Sequence, residues 1–262
     1  MTSPAATPAP RGDLLPRLAA LSRELGRPEH DYAIVAEGNT SVAASDDLFW
    51  CKASGTSLAT ADTRSFVLLR TRAVLELLDE PPPDDEQLGR ALSLCRADPT
   101  ATARPSVEAA LHALCLTTGG AAWVGHTHPT AVNALLCSER AGLLVAGAVF
   151  PDQVVVCGSR PLLVPYADPG VPLALAVRER LAEHGPPPPK VIYLASHGLF
   201  ALGDSPGEVR QVTAMAVKAA RVLLGTLSAG GPRFLAPADV ARLESRTDEH
   251  YRQAMLRGRG DR

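Results

Sequence analysis

The segment PSVEAALHALCLTTGGAAWVGHTHP, residues 105–129, predicts a helix that leads directly into a strand. Apolar residues recur at helical spacing after Pro105, and the pair Gly119–Gly120 ends the helical pattern. Residues 121–128 are mostly apolar and predict a strand, which Pro129 stops. The triplet HTH, residues 126–128, therefore lies at the end of this predicted strand.

Helices and strands also alternate on both sides of this segment. Strands are predicted at residues 48–53, 66–70, 154–157 and 190–195, and helices at 14–25, 72–78, 130–137, 173–184 and 207–225. This alternation favours an α/β fold in which helices flank one central sheet. The length of 262 residues fits a single domain. We assign that domain to residues 14–262 and interpret residues 1–13 as a flexible N-terminal tail.

Charge and cysteine content exclude several classes of protein. A formal net charge of -2 gives no general attraction to nucleic acid or to an anionic membrane, so a local pocket must bind any anionic substrate. Five cysteines without a CxxC pair indicate buried thiols in a reducing compartment rather than a disulfide framework. No segment has the roughly 18–20 apolar residues of a membrane span, and the N-terminus lacks a signal-peptide pattern. We therefore expect a cytoplasmic protein.

His126 and His128 are the first candidates for a metal site. Residues i and i+2 of a strand project to the same face, so the two imidazoles can approach one ion, at about 2.0–2.1 Å each for zinc. An isolated His-x-His triplet is also typical of core or surface histidines that make ordinary hydrogen bonds. That interpretation stays open for the triplet alone.

Two other segments strengthen the metal hypothesis. Glu108 and His112 lie four residues apart on one face of the helix that precedes the histidine strand. His197 lies just beyond the apolar strand 190–195, before a glycine turn. Taken separately, Glu108 could act on the helix dipole, and His197 could bond to the backbone of a turn. Taken together, three imidazoles and one carboxylate would form a zinc-type site with room for a substrate.

Five motifs occur in the order found in the class II aldolase and adducin family. They are GNTS, KASGTSL, PSVEAALH, HTHP and SHGLFALG, at residues 38–41, 52–58, 105–112, 126–129 and 196–203. The sequence resembles the fuculose-phosphate and rhamnulose-phosphate aldolases of this family. Its motifs are most similar to the aldolase half of bifunctional rhamnulose-phosphate aldolase/alcohol dehydrogenases. The resemblance covers about residues 14–225 and implies a single layered domain with a central, mainly antiparallel β-sheet flanked by helices.

The resemblance implies a role for each matching residue. His126, His128 and His197 match the metal ligands of the family, and Glu108 matches the acidic residue that lies at the metal and transfers a proton. The residues that match the turns and the serine around the substrate phosphate are Gly38, Asn39, Ser54, Gly55 and Ser106. Such glycine turns expose backbone N–H groups that bind an anion without net charge. Without the resemblance, simple chain reversal explains both turns.

The implied activity is metal-dependent cleavage of a ketose phosphate, by a retro-aldol reaction through a metal-stabilised enediolate, to dihydroxyacetone phosphate and an aldehyde. The implied cofactor is a divalent ion, Zn2+ in the first place with Mn2+ or Co2+ as alternatives. The implied assembly is a homotetramer, in which a C-terminal tyrosine such as Tyr251 would complete a neighbouring site. Packing of a C-terminal helix is the simpler interpretation of Tyr251. A Schiff-base lysine is not required, and we interpret Lys52 and Lys190 as surface lysines with buried stems.

Two positions depart from the family pattern. Ser196 stands where many members have Asn, and Val107 stands where fuculose-phosphate aldolase has a second serine. The phosphate is therefore held more weakly, or the substrate differs. Epimerisation, dehydration and decarboxylation of a sugar-acid phosphate use the same metal chemistry and stay open as alternatives.

Two further alternatives are not enzymes. One is an adducin-like interaction module, which has no need of four converging ligand-type side chains. The other is a structural zinc protein, which would require four protein ligands in a closed site.

Overall fold

The computed structural model describes residues 13–79 and 84–246. Its strands are β1 (Asn39–Ser45), β2 (Leu48–Lys52), β3 (Phe66–Arg70), β4 (Trp123–Thr127), β5 (Leu162–Val164), β6 (Val191–Leu194) and β7 (Gly198–Gly203). Its α-helices are α1 (Leu14–Leu25), α2 (Thr71–Glu76), α3 (Asp85–Leu94), α4 (Ala109–Leu116), α5 (Thr130–Leu136), α6 (Pro151–Cys157), α7 (Val171–His184), α8 (Pro206–Ser228) and α9 (Pro237–Glu244). No helix within these ranges is long and apolar enough to cross a membrane.

The strands form one sheet in the order β3-β2-β1-β4-β7-β6-β5. Neighbouring strands are antiparallel except β5 and β6, which are parallel. The prediction of a mainly antiparallel sheet flanked by helices is therefore confirmed. β4 lies in the middle of the sheet and all five of its residues are buried, which puts the histidine strand at the centre of the fold.

Each face of the sheet carries a hydrophobic core. Along β7, Phe200 and Leu202 pack into one core with residues of α4 and α7, whereas Leu199 and Ala201 pack into the other with residues of α1, α5 and α8. This alternation follows from the two-residue period of a strand. Both faces of the sheet are thus buried by helices of the same chain.

The strand predicted at residues 154–157 is wrong, because these residues belong to α6. The β-branched run of valines favours a strand by propensity. Pro151 instead occupies the first turn of a helix, and Gly158 ends that helix with φ of 74°. Val154 and Cys157, three residues apart, are the buried face of α6.

All five cysteines are free, as predicted. Four of them are buried, and Cys137 is exposed. Tyr251 and nearly all of the predicted N-terminal tail lie outside the described residues. The tail boundary and the role of Tyr251 therefore stay predictions.

Candidate metal centre

Three imidazoles converge at one end of the sheet. His126 belongs to β4, His128 follows this strand, and His197 lies in the turn between β6 and β7. Since β4 and β7 are neighbours, the two histidine-bearing segments meet. The Nε2 atoms of His126 and His128 are 2.9 Å apart, and one ligand nitrogen from each of the three rings lies within 4.8 Å of the others. This cluster could hold a divalent ion.

The rings are held so that nitrogen lone pairs can face the cluster. Nδ1–H of His126 donates to the carbonyl oxygen of Leu199 at 2.9 Å, which turns Nε2 of the same ring towards the cluster. The Asn133 amide donates to the carbonyl oxygen of His197 at 3.0 Å and fixes that turn. Burial, with smaller contributions from His126 and His197, lowers the pKa of His128 to about 3. His128 is therefore neutral near pH 7, which is the form that binds metals.

Glu108 lies beside this cluster at the start of α4. It is the N-cap residue of α4, one position before the helix begins, whereas the sequence pattern placed it inside the helix. Its Oε1 atom lies 3.1 Å from Nε2 of His197 and 3.4 Å from Nε2 of His126. Burial opposes the charged form of this carboxyl, but the two imidazoles hold its pKa well below the usual range. A carboxylate next to three imidazoles completes a donor set that fits a divalent ion with an open position.

His112 does not join the three clustered histidines. It is fully buried, its Nε2 is hydrogen-bonded to Oδ1 of Asn39, and its Nδ1 lies 2.7 Å from Oγ of Ser41. The Asn39 amide in turn donates to Oε2 of Glu108 at 2.7 Å. Burial, followed by the charge on His126, lowers the pKa of His112 to about 3, so this ring is neutral. The sequence placed His112 on the same helical face as Glu108 but gave no signal for its partners.

The residues expected to hold a phosphate differ in whether they have a hydrogen-bond donor free for a ligand. Oγ of Ser106 accepts hydrogen bonds from the Glu108 backbone at 3.2 Å and from the Asn39 amide at 3.3 Å, so its own proton can go to a ligand. Both hydrogens of that amide are thereby occupied, and the side chain of Asn39 offers no spare donor. Gly38 has φ of 69°, and a Cβ there would lie 2.5 Å from the His126 carbonyl oxygen, so close packing alone requires this glycine.

The Ser54–Gly55 turn is exposed and lies next to the segment that leads into Ser106. The Ser54 N–H is not free, because it donates to the carbonyl oxygen of Arg104 at 2.9 Å. Gly55 has φ of 79° and open space around the place of a Cβ. An anion could therefore bind to the hydroxyl of Ser54 and to the backbone of Gly55.

Lys52 is not the surface lysine that the sequence suggested, since only 3% of it is exposed. The described partners of its ammonium group are neutral: the carbonyl oxygens of Ala53 and Thr56 and the Thr56 hydroxyl. Burial lowers the pKa of Lys52, while the negative charge of Glu108 raises it. A buried cation with neutral partners next to the Ser54–Gly55 turn is suited to an anionic ligand. By contrast, Lys190 pairs with Glu208 at 2.8 Å.

Known proteins resemble this chain in sequence or in fold. An uncharacterized oxidoreductase, YuxG of Bacillus subtilis (strain 168), is 29% identical over 176 residues, which are 64% of this chain and 23% of that protein. The chain thus spans less than a quarter of the relative it matches. YgbL of Escherichia coli, whose name leaves open aldolase, epimerase or decarboxylase activity, has a TM-score of 0.68 at 20% identity, over 90% of this chain and 99% of its own.

An L-fuculose 1-phosphate aldolase also has a TM-score of 0.68, at 16% identity, over 88% of this chain and 94% of its own. At such identities these two structures share the fold with this chain. The sequence profile of the Class II Aldolase and Adducin N-terminal domain matches residues 16–224, which include the histidine cluster, Glu108 and the two glycine turns. The chain therefore belongs to the class II aldolase and adducin family.

Proposed function

We propose that this protein is a metal-dependent lyase that cleaves a ketose phosphate by a retro-aldol reaction to dihydroxyacetone phosphate and an aldehyde. The observation that carries the proposal is the placement of Glu108. One carboxylate oxygen faces His126 and His197, while the other is tied to Asn39. A base held in this way stays close to the histidine cluster without being committed to it.

The chain supplies a base and an orienting frame. His126, His128 and His197 would hold the divalent ion, with Glu108 at its side. The bound ion would act as a Lewis acid on the substrate carbonyl and its neighbouring hydroxyl. Glu108 would deliver a proton to the carbon next to the carbonyl after the carbon–carbon bond breaks, while the hydroxyl group that becomes the aldehyde would release its own proton to solvent. The activities named for the structurally similar proteins and the donor set support this assignment.

The phosphate would bind on the side of Glu108 where the donors lie. The Ser106 hydroxyl, the Ser54 hydroxyl and the Gly55 backbone offer hydrogen bonds, and Lys52 offers positive charge. Gly38 and Asn39 would shape this subsite. A cavity of about 390 Å³, lined in part by Glu37 and His128, offers space for the aldehyde half.

The finer assignments are also part of this proposal. We assign zinc as the ion, with manganese or cobalt as alternatives, because imidazole sites accept several first-row metals. We assign a homotetramer as the assembly, as in the aldolases that the sequence resembles. We assign the cytoplasm as the location, where free thiols stay reduced.

The decisive experiment is a substrate panel. Metal-loaded protein is incubated with ketose 1-phosphates and with sugar-acid phosphates, and carbon–carbon cleavage is measured beside CO2 release. We expect an aldehyde and dihydroxyacetone phosphate from at least one ketose 1-phosphate. CO2 release alone would replace the aldolase by a decarboxylase, and isomerised product without cleavage would replace it by an epimerase.

Metal analysis separates the enzyme from an adducin-like module. We expect one divalent ion per chain in the purified protein and its loss in a His126→Ala variant. A wild-type chain that binds no divalent ion at micromolar concentration would favour the non-catalytic module.

A further inference from the structure

A buried chain of hydrogen bonds runs from Ser41 through His112 and Asn39 to Glu108. Ser41 and Asn39 belong to β1, and His112 belongs to α4, so the chain links the sheet to the helix that begins after Glu108. Each of these side chains is at least nine-tenths buried. Water therefore does not compete for these hydrogen bonds, and each group depends on its partner.

The direction of every bond in this chain is fixed by chemistry. The carboxylate of Glu108 can only accept, so the Asn39 amide nitrogen must face it. The Asn39 oxygen then faces Nε2 of His112, which must carry a hydrogen. Nδ1 of His112 is left as an acceptor for the Ser41 hydroxyl at 2.7 Å. A flipped Asn39 would bring two oxygens together at 2.7 Å, which is repulsive.

We propose that His112 is a positioning residue that holds Glu108 in its catalytic orientation through Asn39, with Ser41 selecting the required tautomer of His112. This inference rests on the proposed function, since it treats Glu108 as the base. It assigns His112 no contact with the substrate or the ion. It also makes Asn39 an orienting side chain, because its amide is committed to Glu108 and Ser106.

The geometry explains why Glu108 needs such support. Its carboxylate lies 3.1 Å from one imidazole and 3.4 Å from another, so any rotation would change its distance from the cluster. Glu108 precedes the regular turns of α4, and its side chain makes no capping hydrogen bond there. Among the described residues, Asn39 donates a hydrogen bond to Oε2 of Glu108. The orientation of Asn39 in turn depends on the Nε2–H of His112.

Two amide variants separate positioning from packing. In His112→Gln the side-chain nitrogen can reach the place of Nε2 and still donate to Asn39. In His112→Asn the shorter side chain reaches only the place of Nδ1 and meets Ser41. Both variants remove the ring, and because Asn leaves the larger cavity, the unfolding free energy is measured beside kcat: a packing role would lower both together, whereas a positioning role lowers kcat alone.

We expect kcat for the ketose phosphate to fall at least tenfold in His112→Asn and less than threefold in His112→Gln. KM should stay within threefold in both, because the phosphate donors are unchanged, and both should retain one ion per chain. Equal losses of kcat in the two variants, or a loss expressed in KM alone, would overturn the proposal. Should His112→Asn not fold, Ser41→Ala tests the same chain, with a three- to tenfold loss of kcat expected and an unchanged kcat contradicting the proposal.

Crystal structures of the variants give a readout that does not require activity. We expect Glu108 to keep its 2.7 Å contact with the Asn39 amide in His112→Gln and to lose it in His112→Asn. An unmoved Glu108 in both variants would overturn the inference even if wild-type protein cleaves a ketose phosphate. Conversely, a wild-type protein inactive on the whole panel would refute the proposed function, while the position of Glu108 would still test the relay.

Discussion

At Glu108, charge and shape can be separated by one substitution. Glu108→Gln keeps the size of the side chain but removes its ability to take up a proton. We expect turnover to fall by about 10²–10⁴-fold, the usual contribution of a general base. The three imidazoles remain, so metal content should stay at one ion per chain. Steady-state rates and metal analysis of the same sample check both points, and full turnover in a metal-loaded variant would refute the base assignment.

His112 should make the unfolding free energy depend on pH. Its pKa is about 3 in the folded chain, whereas an ordinary histidine, as in the unfolded chain, has a pKa of 6.5. Between pH 3 and pH 6.5 the unfolded chain therefore binds one more proton than the folded chain. Stability from this neutral ring is complete above pH 6.5 and is lost as the pH falls towards 3. The slope of one such group is about 1.4 kcal/mol per pH unit.

Denaturant titrations of metal-free protein between pH 7 and pH 4 measure this effect. We expect His112→Gln to lose stability less steeply than wild type as the pH falls, since all other titratable groups are common to the two proteins. Parallel curves for the two proteins would show that His112 is not the neutral group described above.

At the scale of elements, Gly198 at the start of β7 allows two histidine segments to meet. A Cβ there would lie 2.5 Å from the Thr127 carbonyl oxygen and 2.7 Å from Cδ2 of His128. We therefore expect Gly198→Ala to push β7 away from the cluster and to raise the Kd for Zn2+ by about 10–100-fold, as measured by calorimetry. Gly225→Ala is the matched control, because no atom beyond its chain neighbours and the nearby backbone of α8 lies within 4 Å of its Cβ position. Equal Kd values in the two variants would contradict this expectation.

The turn before His197 places a non-glycine residue in the left-handed region. Ser196 has φ of 55°, a conformation that Asn adopts at lower cost than Ser. This is a physical reason why Asn would suit this position better than Ser. We expect Ser196→Asn to raise the unfolding free energy by up to about 1 kcal/mol, as measured by urea denaturation of the metal-free chain. Ser196→Ala is the control, and an Asn variant no more stable than the Ala variant would refute this explanation.

The elements predicted from the sequence are those with local signals. Pro129 separates β4 from α5, and the two-residue period of β4 places His126 and His128 on one face, as the structure has them. The start of β7 was interpreted as a glycine turn, because its identity as a strand comes from pairing with β4 and β6. The capped helix α3 was not predicted, although Asp84 accepts a hydrogen bond from the backbone of Gln87.

The candidate site also contains features that the sequence predicted and features that only the structure shows. The convergence of His197 with His126 follows once β4 and β7 are neighbours, and the family resemblance supplied that information. The link between His112 and Asn39 joins residues 73 positions apart. It depends on the register that places Asn39 opposite His126, which no local pattern fixes. Lys52 ends β2, and a lysine in that place gives no local sign of burial.

In the whole molecule, the histidine cluster is made of residues other than those of the two hydrophobic cores that stabilise the fold. The cores on the two faces of the sheet consist of apolar side chains from helices and strands throughout the described ranges. The histidine cluster lies at the end of β4 and β7, and it contains three histidines and no described cysteine. We therefore expect the fold not to depend on a bound ion, unlike that of a structural zinc domain with four closed ligands.

Removal of the ion should consequently leave a folded chain of lower stability. We expect chelator-treated protein to keep its far-UV circular dichroism spectrum and a cooperative thermal transition. Zinc at 100 times its Kd should then restore about 2.7 kcal/mol, or a rise in Tm of roughly 5–10 °C for a chain of this size. His197→Ala, which leaves two imidazoles, should show little of this rise. If the metal-free chain instead loses its helical circular dichroism signal and its cooperative thermal transition, the fold requires the ion. The site would then be a structural metal site, and the proposed cleavage would lose the open coordination position on which it depends.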